Sequence, residues 1–172
     1  MDYIPIEAHG HPISSDAYFT LMAGGDGVGF IHCGDGVLVV PVDDAGNVML
    51  AVERSAAFDC ELLVLVGGSV EPGEPLEETA NRELQEELGW RADQIVFLGE
   101  VRPFKYLTSR QFVFLARGLT PSKLDGDELH PIAARTIPLN SFPALCLSGE
   151  LLDAPSIAAL CLALEFLQRE AQ

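Results

Sequence analysis

Apolar residues recur at every fourth position between residues 76 and 88, which is the spacing of a helix that buries one side. Pro75 suits the first turn of such a helix because its missing N–H costs little there, and Gly89 is a natural C-terminal stop. We therefore predict a helix that runs from about Pro75 to Leu88. Its buried stripe consists of Leu76, Ala80, Leu84 and Leu88.

Shorter apolar runs, bounded by Gly, Pro, Asn and Asp, predict strands in much of the remaining chain. Residues 43–46 (Asp-Asp-Ala-Gly) are expected to join the first two strands as a β-hairpin. Residues 62–66 are continuously apolar, which is typical of a central strand that is buried on both faces. The predicted strands are residues 37–42, 47–53, 62–66, 94–101, 111–117 and 132–138.

Two further helices are predicted near the C-terminus. Residues 140–147 form a short helix with Asn140 as its N-cap, ending at Gly149. Asp153 caps the last helix, whose apolar residues again have helical spacing. Residues 1–35 contain only short apolar pieces between glycine-rich turns, and we interpret them as N-terminal strands or an arm.

The composition indicates one globular domain over residues 1–172, because 48% of the residues are hydrophobic and 21% are charged. No apolar run is long enough to cross a bilayer and the first residues do not resemble a signal peptide, so we expect no membrane association and a cytoplasmic location. The four cysteines are widely spaced and predict reduced thiols. The net charge of −16 argues against a nucleic-acid partner, because binding a phosphate backbone requires clustered Lys and Arg.

Three carboxylates on the predicted helix are candidate ligands of a metal ion. Glu83, Glu86 and Glu87 share one face, although like charges at this spacing destabilise a helix by about 0.2–0.5 kcal/mol per pair. Their face lies beside the leucine stripe, at the edge of the core, where a divalent cation would offset the repulsion. Oxygen ligands without nearby His or Cys favour Mg²⁺, or Mn²⁺, over zinc. The alternative is an ordinary solvated acidic face.

Residues 68–90 resemble the signature loop and helix of the Nudix hydrolases, with one mild departure at Trp90, where an aliphatic residue is usual. The resemblance implies a Nudix-type fold of the α/β (α+β) class, an αβα sandwich with a mixed central sheet. It also implies that the Gly67 carbonyl joins Glu83, Glu86 and Glu87 as a metal ligand, and that Arg82 orients the glutamates. The matching positions are Gly68, Glu74, Arg82, Glu83, Leu84, Glu86, Glu87, Gly89 and Trp90.

The C-terminal half is also similar to the ADP-ribose pyrophosphatase and ADP-compound hydrolase branch of that family. The similarity is carried by residues 80–84, 124–128, 137–139 and 148–157. It implies hydrolysis of the pyrophosphate bond of ADP-ribose or an ADP-sugar, giving AMP and a sugar phosphate. The alternatives are a house-cleaning nucleoside triphosphate pyrophosphatase and a non-catalytic, nucleotide-sensing module. Residues 64–68 and 52–56 depart from the sequences usual in the branch, which leaves the second half of the substrate open.

The branch also implies where the general base lies, and the sequence itself suggests contacts for the substrate. The branch places the general base on a mobile loop, which makes Glu128 the first candidate and Asp127 the second, while Glu83 is the candidate on the signature helix itself. Arg54, Tyr106 and Arg110 are candidate substrate contacts, although the loop that carries the last two can equally be an exposed connection. The branch typically pairs through its N-terminal region, so the resemblance together with the short apolar pieces of residues 1–35 predicts a homodimer.

Overall fold

The computed structural model describes residues 9–16, 18–126 and 132–172. Within them the chain forms ten strands, one 3-10 turn at Leu139–Ser141 and three α-helices. The strands are β1 (His11–Ser15), β2 (Phe19–Ala23), β3 (Gly29–Cys33), β4 (Gly36–Pro41), β5 (Asn47–Ser55), β6 (Cys60–Val64), β7 (Val66–Ser69), β8 (Trp90–Val101), β9 (Gln111–Pro121) and β10 (Ala133–Pro138). The helices are α1 (Leu76–Leu88), α2 (Phe142–Ser148) and α3 (Ala154–Glu170).

A four-stranded mixed sheet lies at the centre, in the order β7-β4-β9-β8. Strands β4 and β9 are parallel, and the two outer pairs are antiparallel. An antiparallel sheet in the order β10-β5-β6 and a smaller antiparallel sheet in the order β1-β2-β3 complete the strands.

The central sheet is covered by a helix on each face. Alternate residues of β4 point to opposite sides, so Val37 and Val39 pack with the apolar stripe of α1 while Leu38 and Val40 pack with α3. Strand β9 continues the same alternation, with Phe112 and Phe114 on the α1 side. The predicted αβα sandwich with a mixed central sheet is therefore confirmed.

The prediction of one central strand at residues 62–66 is wrong. The run is divided between β6 and β7, which are edge strands of two different sheets. The division falls at Leu65, whose N–H donates to the buried hydroxyl of Ser156 on α3 at 2.8 Å. The run is apolar because the helices cover it, and a side chain of α3 replaces the strand partner at the point of division.

The predicted hairpin between the first two strands is only partly correct. The turn is present, and the Asp43 carboxylate accepts the backbone N–H groups of Ala45 and Asn47 at 2.9 and 2.8 Å. Strands β4 and β5 then diverge into different sheets, so that the single bridge between Val42 and Val48 joins them. A local turn signal cannot report this divergence, because it depends on which sheet each strand later joins.

The predicted helix ends at Gly89, Gly149 and Asp153 are confirmed, and only the predicted N-cap of α2 is wrong. Helix α1 ends at Gly89, whose φ of 76° is left-handed, and the Asp153 carboxylate caps α3 by accepting the Ser156 N–H at 2.9 Å. Asn140 as the cap of α2 is wrong, because it lies inside the 3-10 turn and α2 begins at Phe142. The hydroxyl of Ser141 donates to the Pro138 carbonyl at 2.7 Å instead.

The described part of residues 1–35 consists of β1, β2 and β3. Backbone hydrogen bonds tie β3 to the loop before β9, from the Ile31 N–H to the Tyr106 carbonyl at 2.8 Å and from the Thr108 N–H to the Ile31 carbonyl at 3.0 Å. Every residue of β1 is exposed. Across the described ranges, no helix combines the length and apolar character needed to cross a membrane. All four cysteines are free thiols.

Candidate active site

Two of the three predicted glutamates are almost fully buried. Only 7% of Glu83 and 5% of Glu87 is exposed, because both lie on the side of α1 that faces β7 and the central sheet. Glu86 stands one turn along from Glu83 and keeps 17% of its side chain exposed. The carboxylate face therefore lies at the edge of the core, as the spacing predicts, and is not a freely solvated surface.

The Arg82 guanidinium contacts three carboxylates at once. It donates to Glu74 through two nitrogens, at 2.9 and 3.0 Å, in the planar fork that suits a carboxylate. A third nitrogen donates to Glu83 at 2.8 Å and to Glu86 at 3.0 Å. The hydrogen bonds from Arg82, followed by one from the Thr79 hydroxyl, lower the pKa of Glu74 below its ordinary value. Glu74, followed by Glu83, raises the pKa of Arg82.

Two glycines at β7 allow the backbone to approach these carboxylates. A Cβ atom at Gly68 would lie 2.2 Å from the carboxyl carbon of Glu83, so a larger residue would displace that side chain. The Gly67 N–H donates to Glu87 Oε1 at 3.1 Å. Residue 68 must therefore be glycine because no side chain fits beside Glu83. The hydrogen bond from Gly67 to Glu87 joins β7 to α1.

Glu83 and Glu86 line a cleft of about 590 Å³, and Glu87 lies behind them against the Gly67 N–H. The lining of the cleft includes three residues that the sequence did not single out, Tyr18, Glu71 and Asp125. A neighbouring cavity of about 440 Å³ shares Tyr18 and the glycines of β7, so the two form a continuous groove beside the carboxylates. The fold brings Tyr18 from a distant segment that no local pattern marks. Glu71 and Asp125 lie within residues 68–90 and 124–128, where the sequence assigns them no role of their own. The cleft is lined by Tyr18, Gly67, Gly68, Ser69, Glu71, Arg82, Glu83, Glu86, Asp125 and Gly126.

The donor set fits a hard divalent cation. All of the predicted side-chain ligands are carboxylates, and the space beside Glu83 is kept open because residue 68 has no side chain. Among the residues that the structure describes, no three His, Cys, Asp or Glu side chains are already gathered as a closed metal shell. Arg82 instead bridges Glu83 and Glu86. The residues that could hold the ion are Glu83, Glu86, Glu87 and the carbonyl of Gly67.

The three predicted substrate contacts lie apart from this cluster. Arg54 on β5 contacts Asp59, and Tyr106 packs against Phe104 with the Lys105 ammonium 4.8 Å from its ring centre. Arg54, Tyr106 and Arg110 do not line either of the two cavities described above. Their role in substrate binding stays a prediction.

Arg110 forms a buried ion pair with Asp35, a residue that the sequence suggested was part of a turn. The Asp35 carboxylate accepts the Arg110 backbone N–H at 2.7 Å and two guanidinium nitrogens at 3.1 and 2.6 Å. The two side chains are 3% and 17% exposed. Asp35 lies between two glycines in the sequence, so its local signal was that of an exposed turn.

The predicted general base, Glu128, and its alternative, Asp127, lie outside the described residues. The described residues end at Gly126 and begin again at residue 132. A Cβ atom at Gly126 would lie 3.2 Å from the Cβ of Glu86. The chain therefore reaches the glutamate cluster immediately before the two predicted residues.

Comparison with known proteins gives three concordant findings. A model of the NUDIX domain matches residues 34–158. The chain is 31% identical over 135 residues to the ADP compounds hydrolase NudE of Escherichia coli (strain K12), an alignment that covers 78% of this chain and 72% of that protein. The crystal structure of an ADP compounds hydrolase superposes with a TM-score of 0.80 at 26% identity, covering 96% of this chain and 95% of the other.

Proposed function

This chain belongs to the Nudix family and is a pyrophosphohydrolase, and from that premise we propose that it cleaves ADP-ribose or an ADP-sugar into AMP and a sugar phosphate. The observation that supports the proposal is the cluster of Glu83, Glu86 and Glu87 beside Gly67 and Gly68, in which Glu83 and Glu86 line a cleft. The relatives reported above act on ADP compounds, which favours an ADP-linked substrate over a nucleoside triphosphate.

Nudix hydrolases generally need a divalent metal ion, and we propose Mg²⁺, with Mn²⁺ as a substitute. When bound, the ion neutralises phosphate charge and lowers the pKa of a water molecule. The chain's own residues prepare the site for it. Arg82 holds Glu83 and Glu86 side by side, and the Gly67 N–H fixes one oxygen of Glu87, so the ligands are oriented before substrate arrives.

The proton of the attacking water requires a base. We propose Glu128 for this role and Glu83 as the alternative, because a general base contributes about 10²–10⁴-fold and must reach the water in the closed complex. Arg54, Tyr106 and Arg110 remain the proposed contacts for the rest of the substrate. The charges of Arg54 and Arg110 would attract an anionic substrate to a strongly acidic chain, and the Tyr106 ring could stack on a base.

The first experiment is a substrate panel with Mg²⁺ in which AMP release is measured against release of inorganic pyrophosphate. We expect AMP from ADP-ribose and ADP-sugars. Pyrophosphate from nucleoside triphosphates would instead support the house-cleaning alternative, and tight nucleotide binding without any product would support the sensing module.

The second experiment removes the ligand charge while keeping the side-chain shape. Glu86→Gln and Glu87→Gln should each lower kcat by about 10²-fold or more, since the ion contributes several kcal/mol of charge stabilisation. Excess EDTA should abolish the wild-type activity. Glu77→Gln is the matched control, because Glu77 lies on the same helix but is exposed and outside the cleft. Near-normal turnover in both ligand variants would rule out the proposed metal site.

We further propose that the protein is a homodimer that pairs through β1–β3. The supporting observation is that large apolar side chains of this small sheet are exposed, with Ile13 at 60%, Phe19 at 52% and Leu21 at 43%. Sedimentation should give a mass near twice 18.5 kDa, and a single species of 18.5 kDa at micromolar concentration would refute the proposal. The cytoplasmic location stays a prediction.

A further inference from the structure

The C-terminal end of α1 is completed by a segment from a distant part of the chain. The last carbonyls of a helix have no partners within it, and the last turn of α1 contains no basic residue. The segment that follows β9 supplies backbone partners. The Ser122 N–H donates to the Gly89 carbonyl at 2.8 Å, and the Leu124 N–H donates to the Gln85 carbonyl at 3.3 Å.

Lys123 provides the positive charge that the end of α1 otherwise lacks. Its ammonium donates to the backbone carbonyl of Glu86 and lies 3.5 Å from that of Glu87. Its aliphatic stem crosses the stop residue, since a Cβ atom at Gly89 would lie 3.4 Å from the Lys123 Cδ. The chain has only two lysines, and this one binds the backbone of two predicted metal ligands. The negative end of the helix dipole also favours a cation at this position.

The segment that follows β9 also reaches the cleft. Asp125 and Gly126 line the cleft together with Glu86. Gly126 lies so close to Glu86 that even one added carbon would stand 3.2 Å from the Glu86 Cβ. Glu86 is therefore held at its carbonyl by Lys123 and flanked at its Cβ by Gly126.

We propose that Lys123 is a positioning residue for hydrolysis, and that residues 122–126, which we name the α1 cap, set the places of Glu86 and Glu87 through their backbone. The proposal rests on the proposed function of these glutamates. It differs from simple helix stabilisation, because a stabilising cap would change the unfolding of α1 and leave kcat and metal affinity unchanged.

The test compares Lys123→Met, which keeps the stem and removes the charge, with Lys123→Arg, which keeps both. Arg169→Gln is the matched control, because it removes one positive charge from an exposed pair on α3. Amide hydrogen exchange at Ser122 and Leu124 is measured without metal or substrate. The affinity for Mn²⁺ is measured without substrate, and kcat and KM are measured with the substrate that the panel identifies.

For Lys123→Met we expect amide exchange at the α1 cap to be about 10-fold faster, equivalent to about 1.4 kcal/mol. We also expect a Kd for Mn²⁺ raised about 3- to 10-fold, and a kcat lowered about 10-fold with KM changed less than about 3-fold. Lys123→Arg should restore most of the lost Mn²⁺ affinity and most of the lost kcat. Arg169→Gln should match the wild type in all three measurements. Gly126→Ala, which presses on Glu86 without changing charge, should lower kcat while exchange at Ser122 stays normal.

Either of two results would overturn the proposal. Unchanged exchange in Lys123→Met would mean that the contact does not hold the α1 cap, and faster exchange with unchanged kcat and Mn²⁺ affinity would leave only helix stabilisation. If the wild type cleaves no ADP compound, the proposed function fails by itself. Exchange and Mn²⁺ affinity then still decide the role of Lys123, because neither measurement uses turnover.

Discussion

Replacing Asp35 by Asn should lower the free energy of unfolding by about 3–5 kcal/mol, which is the usual cost of breaking a buried ion pair from one side. The substitution keeps the shape of the side chain but removes the charge that faces Arg110. The carboxylate accepts three hydrogen bonds from that one residue, and its side chain is 3% exposed. An amide cannot accept from all three donors, and water cannot easily replace the loss in so buried a position.

The pair also joins β4 and β7 to the start of β9, which follows Arg110 directly. The Asp35 carbonyl accepts the Val70 N–H at 3.1 Å, just after β7, and the Arg110 carbonyl accepts the Gly36 N–H at 2.9 Å, at the start of β4. Loosening this junction loosens β7, which carries Gly67 and the signature glycine. We therefore expect turnover to fall together with stability in Asp35→Asn.

Urea denaturation at equilibrium measures the effect on stability, provided that unfolding is a two-state process. The matched control is Glu165→Gln, which breaks an exposed pair with Arg169 and should cost less than about 1 kcal/mol. The double variant Asp35→Leu/Arg110→Met should recover much of the loss, since it leaves no buried charge unpaired. A loss below about 1 kcal/mol in Asp35→Asn would refute the reasoning. An Arg110→Met protein of normal stability with a raised KM would favour a substrate contact.

Gly68→Ala should fold but lose about 10-fold or more in kcat, because the added carbon would overlap the Glu83 carboxylate; activity of at least half the wild type would contradict this. Asp153→Ala should cost about 0.5–2 kcal/mol of stability by removing the cap of α3, and an unchanged thermal unfolding curve would contradict this. Glu128→Gln should lower kcat by about 10²–10⁴-fold at constant KM, whereas Asp127→Asn should lose much less; a kcat within about threefold of the wild type would return the base to Glu83.

The sequence predicted α1 and the shared face of its carboxylates well, because both depend on local spacing. The apolar stripe and Gly89 concern residues within a few turns of one another, and their spacing is the same in the chain as in the helix. The mixed sheet between two layers of helix came from the resemblance to the Nudix family, and the structure bears it out. Periodicity alone does not order the strands of a sheet.

Two departures from the predicted structure depend on partners far away in the chain, whereas the error at Asn140 is local. The run at residues 62–66 is divided because Ser156, 91 residues after Leu65, takes one backbone N–H. Asp35 and Arg110 are 75 residues apart, and each appeared to belong to an exposed loop. In each case the residues nearby in sequence carry a correct local signal, but a tertiary contact decides the outcome.

The stability of α1 poses a problem that its own sequence does not solve. Three carboxylates on one face repel one another, and Arg82 is the single cation of the helix. Other segments supply further hydrogen-bond donors. The Gly67 N–H donates to the Glu87 carboxylate, and the Lys123 ammonium donates to the carbonyls of the last turn. Both contacts involve Glu87, so the free-energy costs of losing the two should not add independently. The helix is therefore an acidic surface whose geometry is set from outside, which is what a metal site requires if its ligands are to be in place before the metal binds.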